Sequence, residues 1–463
     1  MMPILAFILS ILVIVLTANF LYKKYNPQGV LVMAGVLMII IALALGTGTP
    51  ELMKPTGSFV FDLFKILEET FITNLSRAGL MIMTIGGYVA FMNKIQATNA
   101  LVYVSMKPLS FFRKYPYLAA TITIPIGQML FITTPSAAGL GLLLVASVYP
   151  VLIHLGVSKL TALSVISVAT IFDQGPGSAN TALAAELIGE TNVFYFIKRQ
   201  LPLVLPTTII VMLLYYFNNR YFDKKDKLKQ AGEEELQETP SAVSFTIDAP
   251  LIFALLPVLP LILLIVFSPY IGLFDPPIIL NTTTAMIFSL FVALLFVLIR
   301  NRSLKQTFEA FGSFWKGMGN VFANVVTLIV AAEIFSKGLI SLGFIDSLVS
   351  ISTHLGFSGI LISTLITIII FCAAILMGSG NAAFFSFGPL LPGIANQLGL
   401  PAYTMVLPMQ LSASMGRAIS PIAGVIVAIA GVAGVSPMEL AKRNAIPLAG
   451  SLVFLMIYHF ITL

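Results

Sequence analysis

The chain has 463 residues, of which 58% are hydrophobic and only 10% charged, against about 25% charged in an ordinary soluble domain; this excludes a soluble enzyme. A net charge of +6 does not mark a nucleic-acid surface, because Lys and Arg sit in short loops at the ends of apolar runs and form no basic face. The runs are continuous, lack the alternation of barrel strands and approach the ~20 residues that a helix needs to cross hydrocarbon, so the expected fold class is an all-α polytopic membrane protein.

Two spans, about 3–22 and 28–46, open the chain. Lys23 and Lys24 follow the first span and no base precedes it, the wrong polarity for a cleaved signal, so the span is expected to stay, with the N-terminus outside. Phe59 to Phe71 mixes apolar and charged residues like an interfacial helix, and a third span covers about 77–94. After the basic loop Lys107 to Lys114, two short apolar arms, about 117–132 and 138–155, are separated only by Thr133-Thr134-Pro135-Ser136. They are expected to form a re-entrant hairpin (about 117–155) with its tip near the midplane. A broken helix, about 160–187, is interrupted at Asp173-Gln174-Gly175-Pro176-Gly177-Ser178-Ala179-Asn180, where proline and glycine unwind a helix. Unwound backbone is tolerated in a membrane only inside protein or beside a water-filled cavity. A span at about 201–217 completes a first membrane half, 1–217.

Residues 218–248, with Lys224, Lys225, Lys227 and Lys229 followed by Glu233, Glu234 and Glu235, are expected to be a mostly disordered cytoplasmic linker. The second half, 249–463, repeats the order: spans at 250–267 and 281–299, an interfacial helix near 303–316, a span at 317–338 and a hairpin at about 358–397 with its tip at Gly378-Ser379-Gly380-Asn381. A broken helix at about 402–432, interrupted from Ser412 to Pro421, and a last span at 445–461 follow. Pro176 and Pro421, Lys198-Arg199 and Lys442-Arg443, and Pro202 and Pro447 recur about 245 positions apart, and paired Gly/Pro interruptions in two halves point to a transporter site. Placing the linker inside puts most of the Lys and Arg on the cytoplasmic side, among them Lys23, Lys94, Lys114, Arg300, Lys316 and Arg443, as the positive-inside rule requires. The first hairpin then enters from the cytoplasm and the second from outside, so the repeat is expected to be inverted and the C-terminus outside.

Such breaks bring four helix N-termini together, near Ala137, Ala179, Ala382 and Pro421. Their free N–H groups and positive dipole ends make an anion site without lipid-exposed cations. The short polar side chains around them are the candidate substrate ligands: Thr134, Pro135, Ser136, Ser178, Asn180, Thr181, Ser379, Gly380, Asn381, Ser412, Ser414, Ser420 and Pro421. Arg417, a costly charge inside the membrane, is read as gripping a substrate carboxylate, with an ion pair to Asp173 as the alternative. Asp173 is the candidate for carrying a coupling proton or Na+. The Lys-Arg pairs are read as headgroup anchors and Cys372, the single cysteine, as a packing residue. His154, His354 and His459 have no second ligand at metal spacing, so neither a metal nor another cofactor is expected. No P-loop is present, so transport is not expected to be driven by ATP.

Several stretches carry a resemblance: Ser136-Ala137-Ala138-Gly139-Leu140-Gly141, Phe322-Ala323-Asn324-Val325-Val326, Gly378-Ser379-Gly380-Asn381-Ala382, and Gly416-Arg417-Ala418-Ile419-Ser420-Pro421 with Gly424-Val425. With them the whole chain, most closely its second half, resembles the anaerobic four-carbon dicarboxylate carriers of the DcuC type, within the wider ion-transporter superfamily. The resemblance implies exchange or ion-coupled uptake of succinate, fumarate, malate or aspartate across the bacterial inner membrane. It also implies a scaffold domain, expected to form a homodimer, and a transport domain that moves like an elevator. One position departs from the family pattern: Asp173 supplies the acid of the first break, and Asn180 stands where the family carries one. The open alternatives are a carrier of another organic acid or amino acid, or a cation–proton exchanger working through Asp173.

Overall fold

The computed structural model describes residues 2–462 apart from 113, 231–247, 269–272, 275–277, 279 and 355. The chain begins with α1 (Met2–Tyr22) and α2 (Pro27–Leu45). Then α3 (Phe59–Asn74) continues through a π-helical turn, Leu75–Gly79, into α4 (Leu80–Lys94). Next come α5 (Ala97–Met106), α6 (Pro116–Thr133), α7 (Ala137–Ser147), α8 (Tyr149–His154), α9 (Lys159–Val168), α10 (Ala179–Leu187) and α11 (Asn192–Tyr195). A second π-helical stretch, Phe196–Gln200, leads into α12 (Leu201–Gln230).

The second part opens with a 3-10 helix, Leu251–Val258, followed by α13 (Leu259–Val266) and α14 (Thr282–Asn301). Then α15 (Leu304–Val321) runs through a third π-helical turn, Phe322–Val326, into α16 (Thr327–Ser341). The chain ends with α17 (Phe344–His354), α18 (Gly359–Met377), α19 (Gly380–Phe387), α20 (Leu391–Gln397), α21 (Tyr403–Arg417), α22 (Gly424–Ala433) and α23 (Pro437–Ile461). Among the described residues, eight helical segments are long and apolar enough to cross a bilayer. The protein is therefore an all-α, multi-pass membrane protein with discontinuous helices.

Two helix crossings rest on glycine. On α2 and α16, a Cβ at Gly35 would lie 2.6 Å from the Ile334 carbonyl oxygen, and one at Gly338 would lie 2.7 Å from that of Gly35. On α4 and α15, a Cβ at Gly317 would lie 2.5 Å from Ala90 Cβ and 2.8 Å from the Gly86 oxygen. Small residues let membrane helices approach at backbone distance, where van der Waals contact replaces the absent hydrophobic drive. Gly317→Leu is expected to cost about 1–3 kcal/mol through overpacking, read as a lower unfolding midpoint in detergent. Gly312→Ala, at a glycine with nothing within 4 Å, is expected to stay within about 0.5 kcal/mol of the parent. Elsewhere α18 packs on α21, α12 on α23, α7 on α22 and α6 on α12.

Several sequence expectations shift. The interfacial helices expected at Phe59 to Phe71 and 303–316 do not end before the next span, because each passes through its π-helical turn into α4 or α16. The expected linker starts late: α12 continues through residues 218–230, because buried Asp223 anchors it to Arg443 of α23. The rest of that linker, 231–247, lies outside the described residues. The arms at Pro116–Thr133 and Ala137–His154 are 18 residues each, so their length alone does not make them short. In the second broken helix, α21 runs through Ser412, Ser414 and Arg417, and the interruption is Ala418 to Ala423. Cys372 is exposed on α18 and does not pack into the core. Arg199 pairs with Glu190 at 2.7 Å and lies over the Tyr403 ring, while Arg443 pairs with Asp223, so neither arginine is a free headgroup anchor.

Candidate functional site

Three serines end the unwound segments in the same way. Ser136 Oγ accepts from Gly139 N–H at 3.3 Å, Ser178 Oγ from Asn180 N–H at 3.1 Å and Ser379 Oγ from Ala382 N–H at 3.1 Å. These are N-caps, which satisfy one donor of the first turn and leave the others pointing past the helix end. They start α7, α10 and α19. The expected fourth N-terminus lies at Gly424 and not at Pro421, and Ala423 in front of it offers no side-chain cap. Gly378, with φ 70°, ends α18 in the left-handed region that glycine enters without steric cost.

The first break, 169–178, is buried throughout, the condition under which irregular backbone persists at membrane depth. Phe172 is held there at φ 46°, a backbone strain that phenylalanine does not adopt freely. Asp173, 6% exposed, accepts from Ser178 Oγ on Oδ1 and from Asn180 Nδ2 on Oδ2, both at 2.5 Å. Asp173 and Asn180, seven residues apart in the sequence, therefore touch. Asn180 Nδ2 also donates to Asn381 Oδ1 at 3.0 Å, tying the first break to the tip after α18.

Amides hold the freed backbone. Gln200 Oε1 accepts from Gly175 N–H at 3.2 Å and Gln200 Nε2 donates to Thr181 Oγ1 at 3.0 Å. Gln410 Nε2 donates to the Asp173 carbonyl at 3.0 Å, and Gln410 Oε1 accepts from Tyr195 OH at 2.8 Å and from Gln200 Nε2 at 3.2 Å. In the second break, Asn444 Nδ2 donates to the Ala418 carbonyl at 2.8 Å and to Ser167 Oγ at 2.9 Å. Gln200 and Asn444 each follow a Lys-Arg pair, at Lys198-Arg199 and Lys442-Arg443. Extending that sequence match by one residue finds both; Gln410 and Tyr195 carry no such signal.

A cavity of about 300 Å³ lies between this region and the α4/α15 crossing. Pro135, Ser136, Asp173, Ala179 and Asn381 form one wall, and Asn93, Gly317, Asn320 and Val325 belong to the other. Thr134, Ser178, Asn180, Thr181, Ser379 and Gly380 are not among the residues that line it. Ser412 and Ser414 are buried within α21, where Ser412 Oγ donates to the Met409 carbonyl at 3.0 Å. Ser420 is buried, and Pro421 is part of the second break.

Arg417 does not reach the cavity wall. Its Nη2 donates to the Thr170 carbonyl at 2.6 Å, just past the end of α9. As the last residue of α21 its charge also faces the negative end of that helix. Among the described residues it makes no ion pair with Asp173 or any other carboxylate, and its Nε is buried without a partner. The guanidinium thus holds the first break through one of its backbone carbonyls.

Comparison with known proteins identifies this architecture. Residues 5–463 match the family model described as C4-dicarboxylate anaerobic carrier. The anaerobic C4-dicarboxylate transporter DcuC of Escherichia coli K12 is 31% identical over 459 residues, 99% of this chain and 96% of that protein. Among solved structures, the YdaH transporter of Alcanivorax borkumensis aligns with TM-score 0.62 at 13% identity, covering 95% of this chain and 99% of that one. MtrF of Neisseria gonorrhoeae, described as one of a class of antimetabolite efflux pumps, aligns with TM-score 0.60 at 13% identity, covering 96% of each chain. At that identity these two share the fold alone, while the whole-length family match places the chain more narrowly: it belongs to the DcuC-type C4-dicarboxylate anaerobic carrier family.

Proposed function

We propose that this chain is a secondary transporter of C4-dicarboxylates in the bacterial inner membrane, working by exchange or by coupling to H+ or Na+. The observation that carries the reading, beside family membership, is the cavity bordered by Ser136, Ala179 and Asn381, each at the N-terminal end of a helix. Carboxylate oxygens accept from such N–H ends, whose partial positive charge costs no buried cation. The amides of Asn381, Asn93 and Asn320 supply further donors from both walls.

Asp173 on the same wall repels a dianion as long as it is charged. A proton or Na+ taken up there balances it, and this is how substrate and coupling ion are read as linked. Arg417 is assigned a positioning role for the break that carries Asp173. The matched order of the two halves, offset by about 245 positions, supports inverted repeats with re-entrant hairpins before each broken helix. The glycine crossings of α2, α4, α15 and α16 suit a scaffold, which would also carry a homodimer contact, and α6–α12 with α18–α23 suit an elevator that slides against it. In this reading both termini lie outside and the linker lies in the cytoplasm.

Counterflow of labelled succinate in proteoliposomes tests the proposal. Fumarate, malate, aspartate and succinate are expected to drive it, with citrate and monocarboxylates failing. Asn381→Leu is expected to slow it about tenfold or more, since a hydrogen bond to a charged group is worth roughly 1.5–3 kcal/mol. Failure of every C4 acid to exchange would sink the reading.

A further inference from the structure

A second cavity, of about 350 Å³, lies away from the breaks, where α4 ends, α14 ends and α15 begins. It is lined by two cations, Lys94 and Arg300, and by two carboxylates, Asp248 and Glu309, over an apolar floor that includes Val297 and Ala310. Among the described residues none of these four charges is in an ion pair with another. Arg300 spends one N–H on the Asp248 carbonyl at 2.9 Å and lies over the Phe253 ring. Gln96, held at φ 62°, lines the same space, and its Oε1 is buried without a partner. Opposite charges that share one concavity without pairing leave both signs open to a ligand.

The surroundings limit what that ligand is. Helix ends of membrane spans meet there, and α14 and α15 expose Leu295, Ile299, Leu304 and Phe308 beside the charged positions, surface suited to acyl chains and not to water. A dianionic substrate or an anionic lipid would be attracted by Lys94 and Arg300 but would face two carboxylates. A molecule with a phosphate and an ammonium group meets a partner at each end, and an apolar tail accounts for the exposed rim.

We propose that this cavity binds the headgroup of a zwitterionic aminophospholipid, phosphatidylethanolamine. Its phosphate sits between Lys94 and Arg300 and its ammonium group donates to Glu309 and Asp248. The primary ammonium matters because its N–H groups fit acceptors that a quaternary choline cannot reach by hydrogen bonding. The inference is independent of the transported substrate.

Native mass spectrometry of the purified full chain, titrated with lipids of identical acyl chains, tests it. Phosphatidylethanolamine is expected to bind at least about fivefold more tightly than phosphatidylglycerol or phosphatidylcholine. Glu309→Gln is expected to remove most of the preference over phosphatidylcholine with the unfolding midpoint in lipid-free detergent unchanged, and Arg300→Ala to weaken all three lipids. Soluble glycerophosphoethanolamine is expected to bind far more weakly than the lipid. Equal or tighter binding of phosphatidylglycerol, or a Glu309→Gln variant that keeps the full preference, overturns the assignment. Binding of the soluble headgroup as tightly as the lipid overturns the membrane source.

Discussion

Replacing Asp173 by asparagine is expected to separate exchange from accumulation. The asparagine keeps the size of the side chain and can still accept from Ser178 or Asn180, the two donors that hold Asp173 now. Counterflow of succinate against fumarate therefore persists within a few fold. Uptake against a gradient does not, because the variant has no carboxylate to take the coupling cation. One elementary charge moved across 100 mV is worth about 2.3 kcal/mol, so losing one coupled cation per cycle lowers the accumulation ratio up to about 50-fold. Parallel measurements with an imposed pH gradient and an imposed Na+ gradient identify the ion. An Asp173→Asn protein that accumulates succinate as the parent does would remove Asp173 from coupling while leaving the substrate assignment intact.

The second large effect is expected far from the cavity. Asp223 accepts from Arg443, from Ser158 Oγ at 2.8 Å, from Thr161 Oγ1 at 2.9 Å and from Tyr117 OH at 3.2 Å. One carboxylate thereby ties together α6, the start of α9, α12 and α23. Both ionic partners are buried, at 3% exposure each. Arg443→Ala leaves that charge uncompensated and is expected to cost about 3–5 kcal/mol, measured by unfolding in detergent or mixed micelles. Asp223→Leu with Arg443→Ala is expected to lose less than Arg443→Ala alone, since no lone charge remains buried, and the cycle closed by Asp223→Leu isolates the coupling. A loss below about 1 kcal/mol for Arg443→Ala would make the pair no stronger than a surface contact.

The sequence makes the spans and the first break readable for a simple reason. Continuous apolar runs and a Gly-Pro-Gly cluster depend on local chemistry. Most of the runs are long apolar helices, and the runs at 7–22 and 251–266 are shorter ones. The break lies at 169–178 instead of 173–180, with Ala179 and Asn180 already in α10. Ser136, Ser178 and Ser379 also follow local rules, since each is a serine in front of a helix start. The second break is misjudged because Gly416 and Pro421 look alike as helix breakers. Pro421 does lie in the interruption, but Gly416 is helical: a Cβ there would sit 2.4 Å from the Phe371 carbonyl, so glycine serves close packing and not unwinding. Arg417 is displaced with it, to the end of α21.

The first part of the polar stretch, 218–230, is misread for the opposite reason. Its charges suggest a solvated linker, and only the tertiary partner Arg443 reveals that Asp223 faces inward. The amphipathic segments before α4 and α16 read as surface helices because nothing local announces that a π-helical turn carries them onward. Gln410, buried in α21 and bonded across to Asp173 and Tyr195, lies beyond any pattern of spacing, because its partners come from distant parts of the chain.

The composition of the network around the first break has a consequence for control. Gln200, Gln410, Asn180 and Asn381 are amides, and Ser178, Thr181 and Tyr195 carry hydroxyls that stay neutral in the physiological range. Asp173 is the one carboxylic acid among them, and Arg417, which donates to the Thr170 carbonyl, is the cation on the same break. Under the coupling role proposed for Asp173, a proton or Na+ arriving there alters its bonds to Ser178 and Asn180, while the amides of Gln200 and Gln410 keep their hold on the break. In that proposal a single occupancy event is read out by the cavity wall, which Asp173 shares with Ser136 and Asn381.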